Sequence, residues 1–278
     1  MIVVVAILAM TLTVFVAYFF FMTPERTQLA HDTQAAAAQR VQQVEDFVRD
    51  QSAYQGIVLH ARSAIVYDVI HGEVLFEHNM HEQHPLASLT KLMTALVAQE
   101  TLAQDQPVAI TPSALATDGD SGLRNGETWT LRELLNFTLL TSSNDGAQAL
   151  ATVSGASLLE QQPDENGSNE SLLRLTFVQQ MNTRARELGL VDTYFVNASC
   201  LDVGITMSGS YGTAYDAARL LAYIITEYPE LLGSTSELTN IYHSLDGFEY
   251  PARNTNGRVG NIPGLIASKT GFTELAGG

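Results

Sequence analysis

The stretch Pro85-Leu86-Ala87-Ser88-Leu89-Thr90-Lys91-Leu92-Met93-Thr94 marks where the chain changes its periodicity. Before it, Ile65-Val66-Tyr67-Asp68 and Glu73-Val74-Leu75-Phe76 are β-prone runs around His71-Gly72, a hairpin pattern. From it onward, Leu89, Leu92, Met93, Leu96 and Val97 recur at i, i+3, i+4, i+7 and i+8, which predicts a helix with one apolar face. Thr130-Leu131-Arg132-Glu133 is a capping box that opens another helix, running through Leu134, Leu135 and Leu139 to stop at Thr141-Ser142. A further helix follows Asn144, residues 161–170 form a polar surface loop, and residues 174–188 and 214–228 are helical. Leu265-Ile266-Ala267-Ser268-Lys269-Thr270 predicts a strand after Pro263-Gly264. Strands first, helices in the middle and a late strand describe an α/β (α+β) chain: a sheet with an inserted all-helical region. No internal repeat is present.

Outside this region, residues 1–22 carry no charge and are almost wholly apolar, long enough for a membrane-spanning helix. No Lys or Arg precedes the run and no small-residue cleavage site follows closely, so an uncleaved anchor is favoured over a signal peptide. Residues 23–53, polar and rich in Gln and Ala, form a stalk or linker, and residues 54–278 form the folded domain. A net charge of −16 argues against a nucleic-acid-binding role, which usually shows a basic face, without excluding a local basic pocket. The single cysteine, Cys200, cannot form an internal disulfide and is expected to be a small packed residue.

The lysines are the informative part of the census. The chain has 14 Lys and Arg residues, of which only Lys91 and Lys269 are lysines. Lysine gives up its proton in a suitable site, whereas arginine effectively never does. Ser88 and Lys91 stand three apart on one helix face, so the hydroxyl and the amine can meet. A serine needs a base to become a nucleophile, and an unprotonated lysine serves. The positive end of the helix and a second ammonium, such as Lys269, would both lower the lysine pKa. Ser142-Ser143-Asn144 falls in the break between two helices, where Ser142 could relay a proton and Asn144 could hold a substrate by hydrogen bonds. Lys269-Thr270-Gly271 ends the late strand, where a lysine and a hydroxyl suit a carboxylate and glycine permits close approach.

Together and in this order, these are S-x-x-K, S-x-N and K-T-G motifs, the set of penicillin-binding proteins and serine β-lactamases. The chain resembles the D-alanyl-D-alanine carboxypeptidase family of low-molecular-weight penicillin-binding proteins. The flanks 85–94, 139–145, 197–202 and 262–273 also carry the likeness, which spans about residues 57–278. The resemblance implies a β-lactamase/transpeptidase-like fold with an antiparallel sheet. It implies that Ser88 attacks the carbonyl between two terminal D-alanines and that Lys91 takes its proton. Ser142 would pass a proton to the leaving D-alanine, and Asn144 would position the substrate amide. Lys269 and Thr270, with Gly271 beside them, would hold the terminal carboxylate. The backbone N–H groups of Ser88 and Phe272 would face the oxyanion. The implied partners are peptidoglycan stem peptides ending in D-Ala-D-Ala, β-lactams as covalent inhibitors and, through residues 1–22, the membrane. No metal or other cofactor and no nucleic acid is implied. The implied location is the bacterial cell membrane, with the domain on its extracytoplasmic side. Two departures stand out. Cys200 occupies a place where the family often has glycine. The family fold also continues beyond the equivalent of Gly278 with two strands, a helix and often a β-rich domain, so the expectation is a fragment or a sheet completed in another way.

Competing readings rest on weaker patterns. A serine β-lactamase with a loop glutamate would point to Glu165 and Asn169, within a stretch that reads as a solvated acidic turn. His71, His78, His81 and His84 lack the H-E-x-x-H spacing of a zinc peptidase and are expected to be exposed loop residues. Gly119-Asp120-Ser121-Gly122 has the composition of a turn. D,D-endopeptidase action on cross-links uses the same chemistry, and a non-catalytic cell-wall-binding protein would keep the groove without turnover.

Overall fold

The hairpin around His71-Gly72 is formed: β1 (Ala64–Asp68) pairs antiparallel with β2 (Glu73–His78). The computed structural model describes residues 35, 39, 54, 56–164 and 166–277. The apolar run 1–22, nearly all of the stalk 23–53, and Glu165 lie outside the described residues. Among the described residues, no helix is long and apolar enough to cross a membrane. Chain contacts divide the molecule into Met1–Leu59 and His60–Gly278, and the paired strands and the helical region both lie in the second unit.

Every strand pairing among the described residues is antiparallel. β3 (His84–Pro85) pairs with β7 (Ser210–Gly212), which also pairs with β6 (Tyr194–Phe195). β4 (Pro107–Ala109) pairs with β5 (Thr128–Thr130), and β8 (Thr239–His243) with β9 (Glu249–Arg253). The helices are α1 (Thr90–Thr101), α2 (Pro112–Leu115), α3 (Leu131–Thr141), α4 (Asn144–Leu159), α5 (Glu170–Glu187) and α6 (Ala214–Glu227).

α1 is the axis of the core. The sequence predicts one apolar face, yet every residue from Thr90 to Ala98 is buried, because α3, α4, α5 and α6 all pack around it. Trp129 is fully buried beside α3, its ring 5.3 Å from Phe137 and 4.9 Å from Tyr250. α4 and α5 approach closely: a Cβ at Gly155 would come within 1.9 Å of Leu173 O. Only glycine permits this close crossing.

Several expectations are corrected. The segment Leu265–Thr270 is not a strand, because no neighbouring backbone forms a ladder with it. Side chains hold it instead: Ser268 N donates to Thr235 Oγ1 at 3.0 Å, and Asn256 Nδ2 donates to Ser268 Oγ at 2.7 Å. Glu170 is not a surface loop residue. It is 3% exposed, opens α5 one turn earlier than expected, and accepts from Thr111, Ser113 and Arg174. Half of the capping box forms, with Thr130 Oγ1 accepting from Glu133 N, while the Glu133 carboxylate accepts from His243 N. His84 is half-buried in β3, its Nε2 2.9 Å from Ser63 Oγ. The β8–β9 hairpin was not anticipated, although Asp246-Gly247 between alternating runs is a turn signal.

Candidate active site

Ser88 lies in a short 3-10 turn, Ala87–Leu89, that runs directly into α1. The β3–β7 pairing and Leu86 N donating to Ser210 O hold the turn from below. Thr90 Oγ1 ties it further by donating to Ala87 O at 2.7 Å. Ala87 has φ +45°, a left-handed conformation costly for an L-residue, so the turn is held by its surroundings rather than by local preference.

Lys91 is wholly buried in the first turn of α1. Its Nζ lies 3.0 Å from Ser88 Oγ, as the i, i+3 spacing predicts. It also reaches Asn144 Oδ1 at 2.8 Å, Ser199 O at 2.7 Å and Cys200 Sγ at 3.3 Å. Burial pushes its pKa down, and Cys200 partly offsets this. Two of the four partners, Asn144 Oδ1 and Ser199 O, can only accept. A neutral amine satisfies both with its two N–H bonds and keeps a lone pair for a third direction, toward the serine.

The S-x-N motif turns the corner between α3 and α4. Ser142 sits at the end of α3 with φ +61°, and Ser143 Oγ caps α4 by accepting from Gly146 N at 2.9 Å. Asn144 Nδ2 donates to Asp118 O at 2.8 Å, which leaves Oδ1 facing Lys91. The turn 119–122 buttresses this corner. Ser121 Oγ lies 2.7 Å from Ser143 Oγ and 2.9 Å from Asp145 Oδ2. Its composition predicts the turn, and its position beside the site came only from the structure.

The K-T-G segment closes the other side. Lys269 Nζ donates to Ser142 Oγ at 2.9 Å and to Thr270 O at 2.7 Å. Its pKa is lowered to about 7, first by removal from water and then by Lys91. Lys269 was expected to lower Lys91, but burial is what lowers Lys91, while Lys91 lowers Lys269. Thr270 Oγ1 is turned to Thr255 Oγ1 at 2.6 Å. Gly271 lies over the nucleophile turn, where an added Cβ would stand 2.9 Å from Ser88 N. The Phe272 side chain is 71% exposed. All three motifs therefore meet at Ser88, with Lys91 and Lys269 on either side of the S-x-N corner.

Three contributors were not singled out from the sequence: the carbonyls of Asp118 and Ser199, and Thr255; Ser121 was noted only as part of a turn. Cys200 is packed, as expected, at 2% exposure, but it packs against Ser88 and Lys91 rather than in the apolar core. Its φ of +80° is a conformation that suits the glycine expected there. The described residues hold no group of three or more His, Cys, Asp or Glu placed to bind a metal ion.

A serine hydroxyl on a buried lysine amine, with a second lysine and serine opposite, is an arrangement that can pair a nucleophile with a base, here on a mixed α/β fold. More particularly, residues 49–278 match the D-alanyl-D-alanine carboxypeptidase family (peptidase S11), and the chain belongs to it. It is 30% identical over 222 residues to D-alanyl-D-alanine carboxypeptidase DacF of Bacillus subtilis, covering 78% of this chain and 52% of that protein. It is 32% identical over 224 residues to a D-alanyl-D-alanine endopeptidase of Pseudomonas aeruginosa, covering 79% and 65%. The chain thus spans about half the length of the first and less than two thirds of the second. Among solved structures, penicillin-binding protein D2 of Listeria monocytogenes in its ampicillin-bound form superposes with TM-score 0.62 at 32% identity, covering 79% of this chain and 82% of that one. A D-alanyl-D-alanine carboxypeptidase of Mycobacterium tuberculosis gives TM-score 0.65 at 28% identity, covering 80% and 78%.

Proposed function

We propose that this chain carries the catalytic centre of a serine-type D-Ala-D-Ala carboxypeptidase that removes the terminal D-alanine from peptidoglycan stem peptides. The observation that carries the reading is the contact of Lys91 Nζ with Ser88 Oγ at 3.0 Å inside a buried pocket that lowers the lysine pKa. Neutral Lys91 takes the Ser88 proton, and Oγ attacks the carbonyl between the two D-alanines. The oxyanion forms against the N–H groups of Ser88 and Phe272. Ser142, in contact with Lys269, passes a proton to the departing amine. Lys269 in its ammonium form and Thr270 hold the terminal carboxylate, and Asn144 orients Lys91 and the substrate amide. Water then releases the shortened peptide. A penicillin enters the same path and leaves Ser88 slowly.

A second reading, D,D-endopeptidase action on cross-links, is supported by the Pseudomonas relative of that name. Both activities cut after a D-alanine and share every residue above. The apolar run 1–22 supports placement at the bacterial cell membrane, with the domain on the extracytoplasmic side. Finding the full-length protein in the carbonate-soluble fraction of the cell would count against that anchor.

The deciding experiment incubates residues 54–278 with a fluorescent penicillin, with Ser88→Ala beside it. Covalent label lost in the variant is the expected result. D-alanine release from a D-Ala-D-Ala peptide, compared with cleavage of a cross-linked dimer, then separates the two peptidase readings. Equal behaviour of wild type and Ser88→Ala would identify a wall-binding protein instead.

A further inference from the structure

Thr255 follows the end of β9, and its backbone is braced from three directions. Before it, Asn254 is 7% exposed; its N donates to Leu238 O at 2.9 Å, and its Nδ2 donates to Thr235 O at 2.7 Å and Glu237 O at 2.9 Å. After it, Asn256 N donates to Asn254 Oδ1 at 2.8 Å, and Asn256 Nδ2 donates to Ser268 Oγ at 2.7 Å, beside Lys269. Thr255 N itself donates at 3.2 Å to Leu140 O, an end carbonyl of α3 close to Ser142. The Thr255 side chain is nevertheless exposed. Its hydroxyl meets Thr270 Oγ1 at 2.6 Å.

An exposed threonine needs no bracing for its own sake, because water satisfies its hydroxyl. Here the bracing holds that hydroxyl at a fixed place beside Thr270, the K-T-G hydroxyl suited to a carboxylate. Two hydroxyls in contact share one hydrogen bond, so one of their two protons remains to be aimed outward. Each polarises the other, and the outward proton becomes a better donor than that of a lone threonine. The Lys269 amine also lies against Thr270, donating to its carbonyl at 2.7 Å. An amine and two hydroxyls are thus gathered at one residue, and a carboxylate, with two oxygens that only accept, suits such a set of donors.

We propose that Thr255 is a specificity-determining residue that acts with Thr270 as a hydroxyl pair to recognise the free terminal carboxylate of the peptide. The assignment rests on the function proposed above and narrows its substrate class: peptides whose departing residue ends in a free carboxylate are selected over those in which that end is an amide.

Two variants of the full chain test this. Thr255→Val keeps the β-branched shape and removes the hydroxyl, and Thr255→Ser keeps the hydroxyl. The substrates are thioesters of an N-acylated D-alanine with thioglycolate or with thioglycolamide, which differ only in carboxylate against carboxamide. In either, the bond from carbonyl carbon to sulfur breaks, Ser88 Oγ takes the acyl group, the thiol leaves with a proton, and water then frees the acyl-D-alanine. Thiol release is the readout. Thr255→Val should lose about tenfold in kcat/KM on the thioglycolate thioester, the worth of one hydrogen bond to a charged group, with the loss carried by KM. It should match wild type on the thioglycolamide thioester, and Thr255→Ser should retain the preference for the carboxylate. An equal loss on both substrates would make Thr255 a residue that only shapes the site, and no loss on either would give it no part in recognition; each result overturns the proposal while leaving the proposed function in place. Wild type that releases no thiol, or releases it as fast as Ser88→Ala, would instead strike the proposed function and this assignment with it.

Discussion

Asn144 Oδ1 accepts a hydrogen bond from Lys91 Nζ at 2.8 Å, although the two residues lie 53 apart in the chain. The same amide donates through Nδ2 to Asp118 O at 2.8 Å, so its orientation is set by a backbone carbonyl on one side and a buried amine on the other. The S-x-N motif thereby aims the S-x-x-K lysine. Asn144→Ala should leave Lys91 short of an acceptor and free to turn from Ser88. Penicillin acylation is expected to fall by roughly a hundredfold, the cost of misplacing a reacting group. Stopped-flow acylation rates at matched protein stability check this.

Replacing Lys91 by arginine keeps the charge and removes the base. Because a guanidinium does not deprotonate, acylation should fall by about a hundredfold or more at every pH. Wild type should lose acylation only on the acid side, as Lys91 takes up a proton. A Lys91→Arg rate profile that still rose with pH would show that another group takes the Ser88 proton.

Lys269 titrates at about 7 in the folded chain, well below the usual lysine value of 10.5. The unfolded chain therefore binds more protons between those two values. The sign follows: stability should rise with pH across this window, and the cost of the buried ammonium is full below about pH 7. Thermal denaturation across that range should show a steeper rise for wild type than for Lys269→Met. Function runs the other way, since carboxylate capture requires the ammonium. KM for a D-Ala-D-Ala peptide should increase above about pH 7, while Lys269→Met should show high KM with little pH dependence.

Gly271 has no room for a side chain. Valine there would press on Ser88 N, one of the proposed oxyanion donors, and on Ala87. Gly271→Val should fold, since the segment is held mainly by side-chain contacts at residues 268–270, and should lose acylation by roughly a hundredfold. An unchanged acylation rate would mean that the K-T-G segment sits farther from the nucleophile turn.

Ser121→Ala removes two hydrogen bonds that brace the S-x-N corner, one to Ser143 and one to Asp145. The expected loss is about 1 kcal/mol of stability, measured by denaturant unfolding. Acylation should slow modestly and in proportion to the loosened corner, with no change in its pH limbs.

Much of this was legible in the sequence because it is local. The i, i+3 spacing of Ser88 and Lys91 places them on one helix face whatever surrounds them. The stop at Ser142 and the restart at Asn144 follow from hydrogen-bonding side chains that favour helix ends. The hairpin at His71-Gly72 follows from alternation and a glycine that tolerates positive φ. The expectation failed for Leu265–Thr270, because a strand is defined by the neighbour it pairs with and no local pattern supplies one. It failed for Glu170 because a carboxylate reads as a surface group until partners such as Arg174, Thr111 and Ser113 are seen around it.

The sequence by itself determined the three motifs, the two lysines worth watching and the Ser88–Lys91 contact, since short-range helical geometry leaves little freedom there. Only the tertiary structure decided which lysine feels which. Ser142 meets Lys269 across 127 residues, and Lys91 meets Ser199 and Cys200 across 108 and 109. Those meetings depend on how α1, α3 and α4 pack and on where two loops are drawn in against them. Burial there sets the lysine pKa values, and burial belongs to the packed chain as a whole.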